Sequence, residues 1–134
     1  MLWGFAADDQ TAYFGLTGAA IAAVDIKTGG LKWQVHPLGA DSRVSFGSAT
    51  TLIPGVVFQG GSDGSLFALS TADGGKLWQF DTNRTFDAVN KTPTKGGSIT
   101  APGPTVVGGM LFVGSGYSVL GGAPGNALLA FGLP

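Results

Sequence analysis

The sequence predicts an all-β protein made of short antiparallel strands grouped into similar four-stranded units. An eleven-residue phrase, AVDIKTGGLKW at 23–33, recurs 45 residues later as ALSTADGGKLW at 68–78. The 24 glycines cluster at the ends of short apolar runs, as turn glycines do in β-proteins. No segment keeps a helical period of 3.6 over three turns. A four-stranded unit that repeats about every 45 residues is typical of a β-propeller blade.

The first unit, residues 1–36, contains four apolar runs separated by turn residues. Gly29 is expected at a turn position with positive φ, which costs a glycine little and a branched residue much. The predicted strands of this unit are 3–7, 12–16, 19–26 and 31–36.

The second unit, residues 48–82, follows the same plan, and a third is expected at 99–134. The third unit lacks a counterpart of the outermost, tryptophan-bearing strand. The predicted strands are 49–53, 56–59, 65–70 and 76–81, then 105–107, 110–113 and 127–132. We therefore expect one domain, 1–134, forming a partial β-propeller of about three blades, the last without its outer strand. A β-sandwich or barrel with chance similarity between hairpins is the alternative.

Composition narrows the classes of function. Charged residues are only 11% of the chain, against about 25% in a typical soluble domain. The net charge is −1 and basic residues form no run, so no nucleic-acid partner is expected. There is no cysteine for a thiolate nucleophile or metal site. No apolar run reaches the roughly 18 residues of a membrane span, and the first residues lack the features of a signal peptide.

The repeated phrase resembles the tryptophan-docking motif, Ala-x-Asp-x-x-x-Gly-x-x-x-Trp, of quinoprotein alcohol dehydrogenase propellers. The first copy matches the motif fully, whereas the second has Ser70 in place of the aspartate. In that family the indole wedges between neighbouring blades against the small alanine. The resemblance therefore implies that Trp33 and Trp78 hold blades together and take no part in catalysis.

Further segments resemble the closing blades of quinoproteins of the polyvinyl-alcohol dehydrogenase type. They are IPGVVF at 53–58, GGSDG at 60–64, STADG at 70–74, KGGSI at 95–99, APGP at 101–104, GSGY at 114–117 and GGAPGNALLAF at 121–131. The resemblance covers nearly the whole chain but only about the C-terminal third of a family member. It implies a quinoprotein-type propeller of eight blades that binds pyrroloquinoline quinone (PQQ) and calcium. It also implies a periplasmic or secreted location and a cytochrome c as electron acceptor.

Because most blades of such a propeller would lie outside these 134 residues, the chain is expected to be a C-terminal fragment that is inactive by itself. It need not bind PQQ or calcium alone, since a site on the propeller axis draws on most blades. Its expected partners are the missing blades or other copies, joined through exposed blade sides. The alternative is a non-catalytic propeller module for protein–protein interaction, similar to outer-membrane assembly scaffolds with the same repeat.

Two candidate site residues follow from the resemblance. Trp3 matches the tryptophan on which the quinone stacks, and the alternative is an ordinary aromatic residue on an inner strand. Asp41 lies in the inter-blade loop that carries the family's catalytic aspartate, which accepts the alcohol proton. A plain solvated loop carboxylate is the simpler interpretation of Asp41.

The segment Lys95-Gly96-Gly97-Ser98 is expected to begin the third inner strand. Its glycines would allow the backbone to approach a planar ligand closely, and Lys95 could pair with a quinone carboxylate. Arg84 and Lys91 are alternatives in the same loop, and each of these cations is otherwise a surface charge.

No metal ligand is assigned in this sequence. The loop where the family has a calcium-ligating asparagine contains Leu16-Thr17-Gly18, with no side-chain carboxylate or amide. His36, the single histidine, lies at a strand end without a second ligand, so a structural role is expected.

Overall fold

The described part of the chain consists of three antiparallel sheets and one small hairpin. The computed structural model describes residues 3–118 and 121–132. The strands are β1 (Ala6–Ala7), β2 (Thr11–Gly15), β3 (Ile21–Asp25), β4 (Leu31–Val35), β5 (Thr51–Ile53), β6 (Val56–Gly60), β7 (Ser65–Ser70), β8 (Lys76–Asp81), β9 (Thr85–Asp87), β10 (Pro93–Lys95), β11 (Thr105–Val107), β12 (Met110–Ser115) and β13 (Ala127–Gly132). None of the described residues is helical.

Each sheet is a meander in which consecutive strands pair. The orders are β1-β2-β3-β4, β5-β6-β7-β8 and β11-β12-β13, while β9 and β10 pair separately. The inner strands are neighbours, since β5 contacts both β1 and β11. Sheets that radiate from adjacent inner strands are propeller blades. The fold class is confirmed: the chain forms a partial β-propeller, with two four-stranded blades and a third in which three strands are described.

The first two blades share the same strand pairing at their outer strands. Ala23 on β3 lies opposite Trp33 on β4, and Ala68 on β7 lies opposite Trp78 on β8. The register shifts directly after each of these alanines. A shared pairing and a shared bulge position mean that the repeated phrase encodes one local structure twice.

The turn inside the phrase is also built twice. The Gly29 N–H donates to the Asp25 carbonyl at 2.8 Å, and the Gly74 N–H donates to the Ser70 carbonyl at 2.9 Å. Gly29 and Gly74 have φ values of 70° and 73°, as expected for turn positions that favour glycine.

The core between the first two blades joins residues from both with the loop that connects them. The Phe46 ring, fully buried, packs edge-on against Phe67 with ring centroids 5.7 Å apart. This cluster consists of Ala19, Ile21, Phe46, Phe67 and Leu69. The connecting loop therefore belongs to the core and is held in a fixed position over the blades.

The core between the second and third blades is a separate cluster. It consists of Leu66, Ile99, Leu111 and Val113, with Phe58, Val106, Leu129 and Phe131 packed against it. Leu66 on β7 and Phe58 on β6 belong to the second blade, and the others come from the third blade or its approach, so apolar burial fixes the third blade on the second.

The structure corrects several expectations about strands. The first inner strand is shorter than expected, because only Ala6 and Ala7 pair with β2. The placement of Lys95–Ser98 at the start of the third inner strand was wrong: Lys95 ends β10, and the inner strand β11 begins at Thr105. The hairpin β9–β10 was not foreseen, since its short polar strands carry no alternating pattern.

Some of the sequence lies outside the described residues. The expected first unit includes residues 1–2, and the expected third unit includes residues 119, 120, 133 and 134. In the described part, no helix has the length and apolar character that a membrane crossing requires.

Candidate functional site

The two long loops that flank the third blade, one after β8 and one before β13, converge. The Ser98 N–H donates to the Ala123 carbonyl, and the Asn126 N–H donates to the Lys95 carbonyl, both at 2.8 Å. The Asn126 side-chain carbonyl accepts from the Lys95 N–H at 2.9 Å. The loop after β8 and the loop before β13 thus form one connected surface.

Gly96 and Gly97 lie where these loops pack most closely. A Cβ on Gly96 would overlap the Thr82 carbonyl oxygen, and a Cβ on Gly97 would overlap the Ala123 carbonyl oxygen. Glycine is therefore required here for close approach of the protein's own backbone. The space beside both residues is filled by this chain.

Ser98 is fully buried within the same packing. Its hydroxyl donates to the Ser62 carbonyl and accepts from the Ala123 N–H, the latter at 2.8 Å. Both functions of the hydroxyl are used inside the protein, so Ser98 ties the second blade's loop to the loop before β13.

Lys95 itself is exposed and pairs with Thr85 in the β9–β10 hairpin. Of the two alternative cations, Arg84 places its guanidinium carbon 4.5 Å from the centre of the Phe80 ring. The same carbon lies 5.3 Å from the centre of the Phe86 ring. Lys91 is exposed, with φ of 60°, in the hairpin's connection. Arg84 therefore has a packing partner, whereas the Lys95 and Lys91 side chains face solvent.

Asp41 lies in the loop between the first and second blades and is exposed. Backbone hydrogen bonds anchor the loop to the first blade: the Ala19 N–H donates to the Val44 carbonyl at 2.9 Å, and the Phe46 N–H donates to the Leu16 carbonyl at 3.1 Å. Because Asp41 is exposed on a loop that is held at its C-terminal end, its carboxylate is accessible to a ligand.

Trp3 comes just before β1 and is 48% exposed. Gly4 follows with φ of 146°, and a Cβ there would lie 3.7 Å from the Ala49 Cβ of the second blade. Among the described residues no hydrogen bond joins Trp3, Asp41 and Lys95. The structure groups Gly96, Gly97 and Ser98 into one buried unit and leaves the other three candidates accessible.

A buried hydroxyl pair at this junction escaped the sequence analysis. The Ser115 hydroxyl, at the end of β12, lies 2.7 Å from the Thr82 hydroxyl, just after β8. The Thr82 hydroxyl also contacts the Gly64 carbonyl at 2.7 Å, and the Gly97 N–H donates to the Ser115 hydroxyl at 2.8 Å. The only signal in the sequence is a small hydroxyl residue directly at a strand end, which is too common to be informative.

Gln59 is a second polar group that the sequence analysis passed over, although it interrupts the apolar run of β6. It is fully buried. Its amide nitrogen donates to the Ser48 carbonyl at 3.0 Å, and its amide oxygen accepts from the Thr50 hydroxyl at 2.6 Å. Gln59 thereby fixes the end of the inter-blade loop against the second blade.

The carboxylates with shifted pKa values belong to turns. Hydrogen bonds from the Gln10 N–H, the Tyr13 hydroxyl and the Thr11 N–H lower the pKa of Asp8. Hydrogen bonds from Thr28, foremost its backbone N–H, lower the pKa of Asp25. The hydrogen bonds that lower these two pKa values stabilise tight turns, and neither shift marks a catalytic acid or base.

Metal-binding groups are sparse. In residues 3–118 and 121–132, no three His, Cys, Asp or Glu side chains come together as a metal site would require. His36 Nδ1 is buried without a hydrogen-bond partner, while Nε2 lies 3.3 Å from the Gln34 amide nitrogen.

An apolar cavity of about 510 Å³ lies on the seam between the second and third blades. Trp78 and Ala68 form one side, and Met110 and Phe131 form the other. The Trp78 and Phe131 rings meet edge to face with centroids 5.2 Å apart. None of the predicted site residues lines this cavity.

Comparison with known proteins places these features in a family context. No protein-family model matches the chain. A polyvinylalcohol dehydrogenase from a Pseudomonas species is 33% identical to this chain over a match that covers 96% of it. A polyvinylalcohol dehydrogenase from Sphingopyxis sp. (strain 113P3) is also 33% identical to this chain and covers 96% of it. The matched section is 24% of each of these relatives.

Solved structures share the fold. The quinohemoprotein alcohol dehydrogenase of Comamonas testosteroni matches 87% of this chain and 17% of its own, with 25% identity and a TM-score of 0.64. BamB of Moraxella catarrhalis matches 98% of this chain and 46% of its own with 20% identity and a TM-score of 0.53, which shows the fold alone. By sequence and by blade architecture, the chain is thus a relative of the quinoprotein alcohol dehydrogenases and matches a section of the polyvinyl alcohol dehydrogenases.

Proposed function

We propose that this chain supplies three adjacent blades to a PQQ-dependent alcohol dehydrogenase of the polyvinyl alcohol dehydrogenase type. The observation that carries the proposal is the 33% identity that extends over 96% of the chain. The chain spans only 24% of those relatives, so alcohol oxidation belongs to the larger assembly and not to these residues alone. As a C-terminal fragment, the chain would be inactive by itself.

Trp3 is the residue of this chain best suited to hold the cofactor. Its half-exposed indole offers a flat surface on which a planar quinone would gain dispersion energy. PQQ, when bound, supplies the acceptor for the hydride of the alcohol. Trp3 does not line the cavity between the second and third blades, and the walls of a cofactor site around its indole are expected from other blades.

Asp41 is proposed as the base that accepts the proton of the alcohol hydroxyl. A carboxylate in this role must reach substrate, and Asp41 is exposed on a loop anchored beside the core. The protein supplies the proton acceptor and its position, and a base placed in this way accelerates such reactions by about 10²–10⁴-fold.

Lys95 remains a candidate for pairing with a cofactor carboxylate, because its side chain is exposed. Gly96, Gly97 and Ser98 support the proposal only indirectly. Since their surroundings are filled by the chain's own backbone, we assign them the role of holding the two long loops together beneath Lys95.

Calcium, a cytochrome c acceptor and a periplasmic location enter the proposal through the family only. The described residues offer no three-ligand group for calcium, so its ligands are expected on other blades. The apolar side of the third blade, with Leu128 exposed at 76%, is proposed to bind a further blade or a second copy. The alternative of a non-catalytic scaffold rests on fold alone, and no specific feature of the site favours it.

A chimaera tests the proposed function. The corresponding quarter of a polyvinylalcohol dehydrogenase is replaced by this chain, and PQQ-dependent dye reduction with polyvinyl alcohol is measured. We expect the rate of dye reduction to exceed the background rate that is measured without PQQ. In that chimaera, Asp41→Asn is expected to lower kcat by about 10²-fold or more with little change in cofactor binding. Asp9→Asn, at another exposed carboxylate, is the matched control and should retain activity.

Two results would contradict the proposal. A chimaera that folds and binds PQQ but oxidises no alcohol would exclude this chain as a functional section of such an enzyme. An Asp41→Asn chimaera with unchanged kcat would remove Asp41 from the mechanism while leaving the family assignment in place.

A further inference from the structure

The β9–β10 hairpin is an addition to the internal repeat. Residues 36–50, all of them described, join β4 to β5 without forming a strand. The equivalent connection from β8 to β11, residues 82–104, is longer and contains β9 and β10. Structured insertions in the connections of a rigid scaffold commonly bind ligands. The hairpin is therefore a candidate for a role beyond holding the blades together.

The hairpin lies on the same face of the blades as the loop that carries Asp41. Both connections contact the β6–β7 loop. The Ser62 N–H donates to the Ser45 carbonyl at 2.9 Å, in the first connection. The Ile99 N–H, in the second connection, donates to the Gly61 carbonyl at 3.0 Å. A long ligand whose reacting group is beside the Asp41 loop would therefore extend across a face that also carries the hairpin.

The base of the hairpin is held in place by Asn126. The Asn126 N–H donates to the Lys95 carbonyl at 2.8 Å. The Asn126 side-chain oxygen accepts from the Lys95 N–H at 2.9 Å, and the side-chain nitrogen donates to the Pro93 carbonyl at 3.1 Å. Asn126 thus takes the place of a third strand beside β10 and fixes the direction in which the hairpin projects.

Packing also fixes which face of the hairpin is turned to solvent. The half-buried Phe86 ring on β9 stacks on the Phe80 ring of β8 with centroids 6.4 Å apart. The Arg84 guanidinium lies over both rings. Thr85 and Lys95, which pair across the hairpin, are exposed. Since side chains alternate between the two faces of a strand, the polar face of the hairpin is the free one.

The tip of the hairpin carries a fully exposed apolar side chain, that of Val89. The tip is shaped by its own hydrogen bonds: the Lys91 N–H donates to the Ala88 carbonyl at 2.9 Å, and the Thr92 N–H donates to the Asn90 side-chain oxygen at 3.1 Å. A single exposed valine is ordinary on a protein surface. This one is held away from the core by a hairpin that is anchored at its base.

We propose that the hairpin tip binds the chain of a polymeric alcohol beyond its reacting carbon, with Val89 as the contact and Asn126 as a positioning residue. This inference rests on the proposed function, in which the chain belongs to an enzyme of the polyvinyl alcohol dehydrogenase type. A polymer is far longer than the one carbon that reacts, so its remaining length must lie across the same face.

The chemistry of the tip suits an uncharged polyol. Polyvinyl alcohol alternates methylene groups with hydroxyl-bearing carbons. Its methylene groups would lose contact with water against Val89, while the exposed Thr92 beside it offers a hydroxyl group for hydrogen bonds. A short alcohol lacks the additional length and gains nothing from the hairpin. The hairpin would therefore lower KM for the polymer and leave KM for a short alcohol unchanged.

Binding is tested on the 134-residue chain itself. The ¹⁵N-labelled chain is titrated with polyvinyl alcohol, and the chemical shifts of its backbone amides are recorded. We expect saturable changes at residues 85–95, largest around Val89, and Val89→Asp should weaken binding about fivefold or more. Val107→Asp is the matched control, because Val107 is a 62% exposed valine at the β11–β12 turn, at the other end of the blades. It should leave binding unchanged.

Kinetics of the chimaera described above test the role in specificity. The ratio of KM for polyvinyl alcohol to KM for pentane-2,4-diol, a short segment of the same polyol, is measured. Val89→Asp and Asn126→Ala should each raise this ratio about fivefold or more. Asn126→Asp keeps the oxygen that accepts from the Lys95 N–H and should restore part of the loss.

The results distinguish this inference from the proposed function. A chimaera that oxidises both alcohols, with a KM ratio that neither Val89→Asp nor Asn126→Ala changes, would overturn the role of the hairpin and leave the proposed function intact. A chimaera that oxidises neither alcohol would contradict the proposed function, and the titration would then decide whether the tip binds the polymer. Shift changes confined to residues outside the hairpin, or equal effects of Val89→Asp and Val107→Asp, would overturn the inference.

Discussion

At the scale of single residues, glycine and small hydroxyl residues decide how closely the loops pack. Gly96 and Gly97 touch backbone from other segments, and the Ser115 and Thr82 hydroxyls bridge strand ends beside them. These residues suggested a ligand cradle, since glycine, serine and lysine can surround a planar anion. The same residue types also allow close packing of loops, and only the neighbours distinguish the two roles.

Gly96→Ala is predicted to destabilise the chain. The new methyl group would overlap the Thr82 carbonyl oxygen, so backbone must shift at a cost of about 2–3 kcal/mol in the free energy of unfolding. Gly114→Ala is the control, because a Cβ at Gly114 meets nothing within 4 Å. Urea denaturation measures both, and equal effects of the two substitutions would contradict this account of Gly96.

At the scale of elements, the hairpin turns are the best-specified parts of the chain. The turn between β3 and β4 is closed by the Asp25 carboxylate, which accepts from the Thr28 N–H at 2.8 Å and the Lys27 N–H at 3.0 Å. In the second copy the Ser70 hydroxyl accepts from the Ala72 N–H at 3.2 Å. Serine thus supports the same turn with fewer hydrogen bonds, which explains why the second copy tolerates the departure from the motif.

Stability should depend on the protonation of Asp25. Hydrogen bonds to the carboxylate lower its pKa in the folded state below the value of about 3.9 in an unfolded chain. Its stabilising contribution is therefore full above pH 4–5 and is lost as the pH falls through the lowered pKa. Asp25→Asn should flatten the dependence of the unfolding free energy on pH between about 5 and 2.

Asp9→Asn serves as the control for this pH series, because the Asp9 side chain accepts no hydrogen bond from the described residues. Thermal or urea unfolding at each pH gives the slope. If the slope of the Asp25→Asn protein equals that of the unchanged protein, the turn carboxylate does not contribute as stated.

The element scale also shows where a sequence is sufficient. The bounds of β7, β8, β11 and β13 agree with the expected strands, because each is an apolar run between clear turn residues. The hairpin β9–β10 was missed since its residues are polar and β-pairing there depends on the neighbouring loop. At the third inner strand, only the expectation that the segment 95–98 begins this strand was wrong, since Lys95 ends β10 and Ile99 forms only an isolated bridge with Tyr117.

At the scale of the whole molecule, blades are joined by aromatic residues that cross the seams. The Trp33 indole N–H, on β4 of the first blade, donates to the Thr71 carbonyl of the second blade at 2.9 Å. The same indole ring borders Gly74, where a Cβ would lie 2.8 Å from the ring. One side chain thus binds a turn of the next blade by both packing and a hydrogen bond.

Substitution of Trp33 is predicted to weaken the seam between the first two blades. Trp33→Phe keeps much of the ring but loses the hydrogen bond to Thr71, at a cost of about 1 kcal/mol. Trp33→Ala also loses the packing and should cost about 3 kcal/mol. Leu31→Ala, at a 62% exposed position of the same strand, should stay within about 0.5 kcal/mol.

Chemical denaturation compares the three proteins. An effect of Trp33→Ala no larger than that of Leu31→Ala would mean that the seam is held by the buried cluster around Phe46 and Phe67 alone. A loss confined to the first blade, detected by hydrogen exchange, would support the interblade role directly.

The sequence by itself determined the repeat, the all-β class, the turn glycines and the four-stranded plan, because these depend on neighbours within a few tens of residues. It also led to the family, through motifs that are local. Only the tertiary structure decided which candidate site residues stay accessible. Lys95, Gly96 and Ser98 are near neighbours along the chain, yet Lys95 faces solvent while the other two are buried. That difference depends on the carbonyl oxygens of Thr82 and Ala123, which are brought there by the packing of distant loops.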